Sequence, residues 1–195
     1  MIITISGTPG SGKSTIAKTI VKDLNAEYIY VGGIRRELAK NKGMTLEELN
    51  VYAQTHPETD VDIDKEVAKT AREKERDGSK GGKIVLVEGR TQYHFLPESL
   101  KIFIKVSISE AAKRIWKDLQ NKETKQQRNE GEVKSLEDME KHIISRQKED
   151  LNRYQKYYKI NPEDESQYDF VLDTSKMNAE EASRKVLSFI KDNLN

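Results

Sequence analysis

Residues 2–16 run Ile2-Ile3-Thr4-Ile5-Ser6-Gly7-Thr8-Pro9-Gly10-Ser11-Gly12-Lys13-Ser14-Thr15-Ile16. An apolar, β-branched run passes through G-x-x-x-x-G-K-[ST] at Gly7 to Ser14. It then opens into a segment of helical period, where Ile16, Ala17, Ile20, Val21 and Leu24 form one stripe. Glycines let such a loop wrap so closely that successive backbone N–H groups point inward. The following helix N-terminus adds its dipole, so a polyphosphate finds an anion nest. Gly7, Thr8, Pro9, Gly10, Ser11, Gly12, Lys13, Ser14 and Thr15 are accordingly read as a nucleoside triphosphate loop. Lys13 is expected to reach the β- and γ-phosphates, Ser14 to ligate Mg²⁺, and Thr15 to stand on the α/β-phosphate side.

Outward from this loop, short β-branched runs recur at Tyr28 to Val31, Ile84 to Glu88, Ile102 to Val106 and Phe170 to Asp173. Most are apolar on both faces, as buried parallel strands are. Helical stripes lie between them, among them Ala111, Ala112, Ile115, Trp116 and Leu119. A last stripe has Ala182, Val186, Phe189 and Ile190. Thr45 with Glu48, Ser107 with Glu110 and Asn178 with Glu181 have the spacing of capping boxes. Strands alternating with helices predict an α/β fold, a five-stranded parallel sheet covered by helices on both sides. About fifty residues separate the second and third strands and more than sixty the fourth and fifth, so both crossovers must carry helical excursions beyond the sheet.

The 195 residues are enough for one domain with a sizeable core. The 34 basic and 33 acidic residues leave a net charge of +1, so no global field draws the chain to nucleic acid and any anion must be held locally. With no cysteine there is no disulfide framework, thiolate metal site or cysteine nucleophile. His56, His94 and His142 lack metal-ligand spacing. The apolar runs fall far short of the ~20 residues that span a bilayer, and Met1 to Ile5 lacks the basic start of a signal peptide. Cytoplasm is the expected compartment.

Arginines stand just past two strand ends, in Gly32-Gly33-Ile34-Arg35-Arg36-Glu37-Leu38 and in Glu88-Gly89-Arg90, where ligands sit in open α/β sheets. Arg36 and Arg90 would then face the crevice of the phosphate loop, and Glu88 would stand beside the metal's water shell or simply cap a turn. From Lys113 to Lys159 there are thirteen Lys/Arg against nine Asp/Glu. In that stretch Arg146, Asp150 and Arg153 lie at i, i+4 and i+7, one stripe of a helix.

Taken together, the chain resembles the nucleoside monophosphate kinases, and among them the cytidylate kinases of short archaeal type. The resemblance rests on the P-loop, Gly32 to Arg36, Glu88-Gly89-Arg90 through Pro97 to Ile104, and Arg114 to Gln120. It continues at Arg146, Asp150 and Arg153, at Tyr154, Tyr157-Tyr158 and Tyr168-Asp169, and at Asp173-Thr174-Ser175. The adenylate kinase pattern Asp-Gly-x-Pro-Arg is missing after the third strand. This resemblance implies a P-loop fold with an NMP-binding lobe over 32–78, a lid over 117–160 and a core of 1–31, 79–116 and 161–195. It implies transfer of the γ-phosphoryl group of ATP to CMP or dCMP with Mg²⁺, by a monomer.

By the same resemblance Lys13, Arg114, Arg146 and Arg153 are catalytic. Arg36, Asp60, Asp64, Arg90 and Asp150 hold the acceptor, and Ser14 and Glu88, the latter through water, serve the metal. Thr91 stands where bacterial members carry aspartate and Gln147 where an acid usually follows Arg146, while Asn121 to Lys134 looks like extra lid sequence. With almost no apolar residue between Leu119 and Val133, the segment from Lys117 to Ser135 is expected to order only around both nucleotides. Rival readings are a kinase for AMP or UMP, or a nucleotide-dependent RNA-binding or assembly factor using Asn121 to Lys134 as a basic arm. That arm also holds Glu123, Glu130 and Glu132 and has no aromatic on which a base could stack.

Overall fold

The computed structural model describes residues 1–77, 82–121, 124 and 133–194. Most of Asn121 to Lys134, the expected extra lid sequence, therefore lies outside the described residues. Five parallel strands form one sheet: β1 (Ile2–Gly7), β2 (Glu27–Tyr30), β3 (Val85–Glu88), β4 (Leu100–Lys105) and β5 (Phe170–Asp173), in the order β2-β3-β1-β4-β5. β1 is central and buried along its whole length. Its neighbours are β3, with Ile5 opposite Glu88, and β4, with Gly7 opposite Ile104.

Strand alternation divides the core into two layers. Ile3 and Ile5 face the helices α1 (Lys13–Leu24) and α8 (Ala179–Asp192), packing with Ile16, Ile20, Val186 and Ile190. Ile2, Val85 and Val87 face the opposite side and pack with Val67, Ala68 and Ala71 of α4 (Glu58–Arg76). The crossover from β2 to β3 carries α2 (Val31–Asn41), α3 (Leu46–Tyr52) and α4. A single turn, α5 (Gln92–Phe95), follows β3.

Between β4 and β5 run α6 (Ile108–Leu119) and α7 (Leu136–Tyr158). Met139 and Ile143 of α7 pack on Ala111, Ala112 and Ile115 of α6. Further along, Tyr154 joins Tyr93, Phe103 and Tyr168 in a separate cluster. One helix within the stretch read as a lid thus packs into the core at its far end.

Two expectations are corrected locally. Val31 does not extend β2 but opens α2, because the ladder with β3 ends where Tyr30 pairs with Glu88. Boxes form at Thr45/Glu48 and Asn178/Glu181, but only half a box forms at Ser107. There Glu110 accepts instead from Arg114 Nε, one turn on, at 2.9 Å.

Candidate active site

The glycine loop joins β1 to α1 at the carboxyl edge of the sheet. From β1 the chain goes first to β2 and β3 on one side and then to β4 and β5 on the other, so the loop stands at a topological switch point. Gly7 has φ +145°, and a Cβ there would sit 1.9 Å from the carbonyl oxygen of Ile104. Gly10 has φ +71°, and its Cβ would come 2.9 Å from Cα of Ala111. Both are positions where close approach and left-handed backbone coincide, which restricts them to glycine. Lys13 Nζ folds back to donate to the Thr8 carbonyl at 2.6 Å. From the far side the Thr174 hydroxyl, just past β5, reaches the Ser11 carbonyl at 3.0 Å.

The loop opens into a cleft of about 940 Å³ whose walls include Lys13, Ser14, Arg35, Arg36, Asp60, Asp64, Glu88, Arg90, Thr91, Arg114, Arg146, Asp150 and Arg153. Every residue beyond the glycine loop read as catalytic, acceptor-holding or metal-serving therefore lines one space, although up to about 140 residues separate them in the chain.

Glu88, at the end of β3, is buried and accepts from Ser14 Oγ at 2.7 Å and from the Tyr28 hydroxyl. Burial raises the Tyr28 hydroxyl pKa well above its ordinary value and the Glu88 charge adds to the effect, so Tyr28 stays a donor. A hydroxyl and a carboxylate held side by side at the mouth of a phosphate nest are hard oxygen ligands that suit Mg²⁺. Among the described residues no three acidic or histidine side chains group as a metal site. A cation here would accordingly complete its shell with phosphate and water.

Across the cleft, Arg36 Nη1 donates to the Tyr30 hydroxyl at 2.6 Å and to the Gly32 carbonyl at 3.0 Å. Its neighbour Arg35 points elsewhere, to Asp60, to the Thr59 carbonyl at 3.1 Å and to Asn50 Oδ1 at 3.0 Å. Asp60 also accepts from Arg153 Nε at 2.6 Å, Arg153 Nη2 donates to Asp150 Oδ1 at 2.7 Å, and Asp150 contacts Arg90. The result is a continuous row, Arg35–Asp60–Arg153–Asp150–Arg90, drawn from α2, α4, α7 and the end of β3. Arg153 is 1% exposed, and its Nη1 has no hydrogen-bond partner among the described residues.

Asp64 is also buried, at 4% exposure, and accepts from Thr91 Oγ1, Gln92 Nε2 and the Tyr158 hydroxyl, each at 2.8 Å. Burial pushes its carboxyl up to about 6, with the hydrogen bonds from Tyr158 and Thr91 opposing. Near the loop, Arg114 Nη2 donates to the Thr174 carbonyl at 2.8 Å and its Nε to Glu110.

Sequence gives Arg35, Tyr28, Gln92 and Tyr158 no individual role, although Arg35 and Tyr158 lie in segments that carry the resemblance. Arg35 had a visible signal, since it follows the same strand as Arg36 and sits about 100° from it around a helix. Neither tyrosine hydroxyl had one, because each partner lies sixty or more residues away.

A phosphate nest at the carboxyl edge of a parallel sheet, opening on a cleft with a row of arginines beyond, defines a P-loop phosphotransferase. A family model described as an AAA domain matches residues 3–145. Cytidylate kinase of Methanocaldococcus jannaschii is 36% identical, over all of this chain and 99% of that one. The enzyme of Thermococcus kodakarensis is 35% identical over 90% of this chain and 80% of its own, and that of Methanopyrus kandleri 32% over 93% and 88%. The chain belongs to the cytidylate kinase family, and is thus a nucleoside monophosphate kinase. Among solved structures, shikimate kinase from Bacteroides thetaiotaomicron superposes with a TM-score of 0.60 at 16% identity over 98% of both chains. An uncharacterized protein from Eubacterium ventriosum does so at 0.65 and 17%, again over 98% of both. These two show the fold. No described helix is long and apolar enough to cross a membrane.

Proposed function

We propose that the protein transfers the γ-phosphoryl group of ATP to CMP or dCMP, giving ADP and CDP or dCDP, as a cytoplasmic monomer. The observation that carries this reading is the pairing, across one cleft, of the glycine-loop nest with the row of arginines centred on the buried Arg153. The names of the archaeal relatives support the choice of cytidylate.

In this reading residues 7–15 bind ATP, with Lys13 on the β- and γ-phosphates. Arg36, Arg90, Asp60, Asp64 and Asp150 belong to the acceptor half, in an NMP-binding lobe of 32–78 facing a lid of 117–160. Arg114, Arg146 and Arg153 bring positive charge to the phosphoryl group in flight. Mg²⁺ would be held by Ser14 and, through water, by Glu88, and would supply charge neutralisation for the triphosphate. The acceptor phosphate oxygen is already anionic and the transition state is loose. The chain's task is therefore in-line positioning, with Lys13 and the arginines covering equatorial charge rather than removing a proton. Closure of the cleft excludes water and so suppresses hydrolysis of ATP.

A coupled assay of ADP release with CMP, dCMP, UMP, AMP and GMP tests the proposal. The expected order places CMP or dCMP first. A higher kcat/KM for AMP or UMP would reassign the acceptor.

A further inference from the structure

We infer that Arg35, which makes no part of the phosphate machinery proposed above, is a positioning residue that sets the charge Arg153 presents to the acceptor phosphate. The inference rests on the acceptor-site reading. It starts from the row's imbalance: three guanidinium groups, Arg35, Arg153 and Arg90, share two carboxylates, Asp60 and Asp150. The row carries one positive charge in excess and sits largely out of water, where charges are weakly screened.

The geometry shows how that excess is placed. Arg35 is anchored by two neutral acceptors, Thr59 O and Asn50 Oδ1, and forms its direct ion pair with Asp60. Asp60 is bridged, one oxygen to Arg35 and the other to Arg153 Nε. A carboxylate divided between two cations neutralises neither. Arg153, which lines the cleft, consequently keeps part of its charge, and its buried Nη1 has no hydrogen-bond partner among the described residues. An incoming phosphate monoester supplies the missing negative charge.

Losing Arg35 would give Asp60 wholly to Arg153. The row would then hold two cations and two anions and offer an anion nothing. Removing the Asp60 charge as well would restore an excess of one. A scaffold role for Arg35 predicts the opposite, a double variant worse than either single one.

Isothermal titration calorimetry with CMP, and separately with ATP, distinguishes the two. Arg35→Met should weaken CMP on the order of tenfold, the size of one coupling between neighbouring charges. Measured against Asp60→Asn alone, Arg35→Met/Asp60→Asn should lose far less than tenfold in CMP affinity, and ATP should bind alike throughout. Unchanged CMP affinity in Arg35→Met, or a full tenfold loss from Asp60→Asn to the double variant, overturns the inference while leaving the acceptor site in place. Wild-type protein that binds ATP but no monophosphate overturns both. Should Arg35→Met not fold, Arg35→Lys and Arg35→Gln take its place. Lys should bind CMP close to wild type and Gln about tenfold weaker, and equal affinities for the two overturn the charge role.

Discussion

Ser14 Oγ donates to Glu88 Oε1 at 2.7 Å, tying the first turn of α1 to the last residue of β3 across the phosphate nest. The bond joins the two oxygen groups assigned to Mg²⁺, and Tyr28 holds the other Glu88 oxygen. Glu88→Gln keeps the shape and removes the charge. The Mg²⁺ concentration for half-maximal rate should rise by about an order of magnitude, the effect typical of outer-shell partners. A Mg²⁺ curve superimposable on wild type would leave Glu88 as a structural tie only.

Lys13 is half-buried and donates to Thr8 O in the loop it would serve. Lys13→Ala should leave the circular dichroism spectrum intact and lower turnover by about three orders of magnitude, since a preorganised transition-state charge contributes 10²–10³ and this lysine is central. Retained turnover would sink the assignment of the loop.

Arg36 and Arg114 stand at opposite ends of the cleft, one beside Tyr30 and the other beside Thr174. Arg36→Ala should raise KM for the acceptor or lower kcat with little change in ATP affinity, and Arg114→Ala should act on the ATP half. A reversed pattern in equilibrium binding of the two nucleotides would exchange the half-sites.

Arg153 is different, because both its carboxylate partners are buried with it. Arg153→Ala leaves Asp60 with one partner and Asp150 with Arg90 alone, and the expected cost is about 3–5 kcal/mol of stability. Thermal melting reads that directly. A melting temperature equal to wild type would mean the row contributes nothing to the fold.

Asp64 makes stability depend on pH in an unusual sense. Its folded pKa, about 6, lies above the ordinary 3.8. The native state therefore holds the proton longer than the unfolded state, so this contribution is complete below about pH 4 and is lost as pH rises through 6. Asp64→Asn should flatten that part of the curve in urea melts between pH 4 and 7. The same carboxylate engages the Thr91 proton, leaving the Thr91 oxygen as an acceptor for an exocyclic amine. Thus kcat/KM should favour CMP over UMP, and Asp64→Asn should narrow the gap; equal rates on both by wild type would remove Thr91 from base recognition.

Sequence alone made the glycine loop and the five strands legible, because both signals are local: a fixed spacing, and short β-branched runs. The stripe Arg146, Asp150, Arg153 was legible for the same reason, since helical period puts it on one face. What the side chains grip was not. Asp60 and Arg153 are 93 positions apart, and their pairing depends on how α4 and α7 cross. The separation of Arg35 from Arg36 turns on where α2 begins, which pairing of β2 with β3 decides. Tyr28 read as strand filler because a phenol in an apolar run gives no hint of its hydroxyl's partner.

Thr174 completes the glycine loop from 163 positions downstream, bonded to Ser11 and, through its backbone, to Lys105. The helix after the loop is local, but β1 pairs with β3 and β4 far along the chain, and this contact waits further for β5 to add to the sheet edge. Possession of the motif and the ability to hold a nucleotide are therefore separate events in the life of the chain. A molecule whose β5 has frayed carries every residue of the nest without the bond from the Thr174 hydroxyl to Ser11. By mass action, each nucleotide bound to the finished nest is also a clasp on that edge, so the protein should resist unravelling at β5 more strongly as ATP rises, with the logarithm of its concentration above Kd.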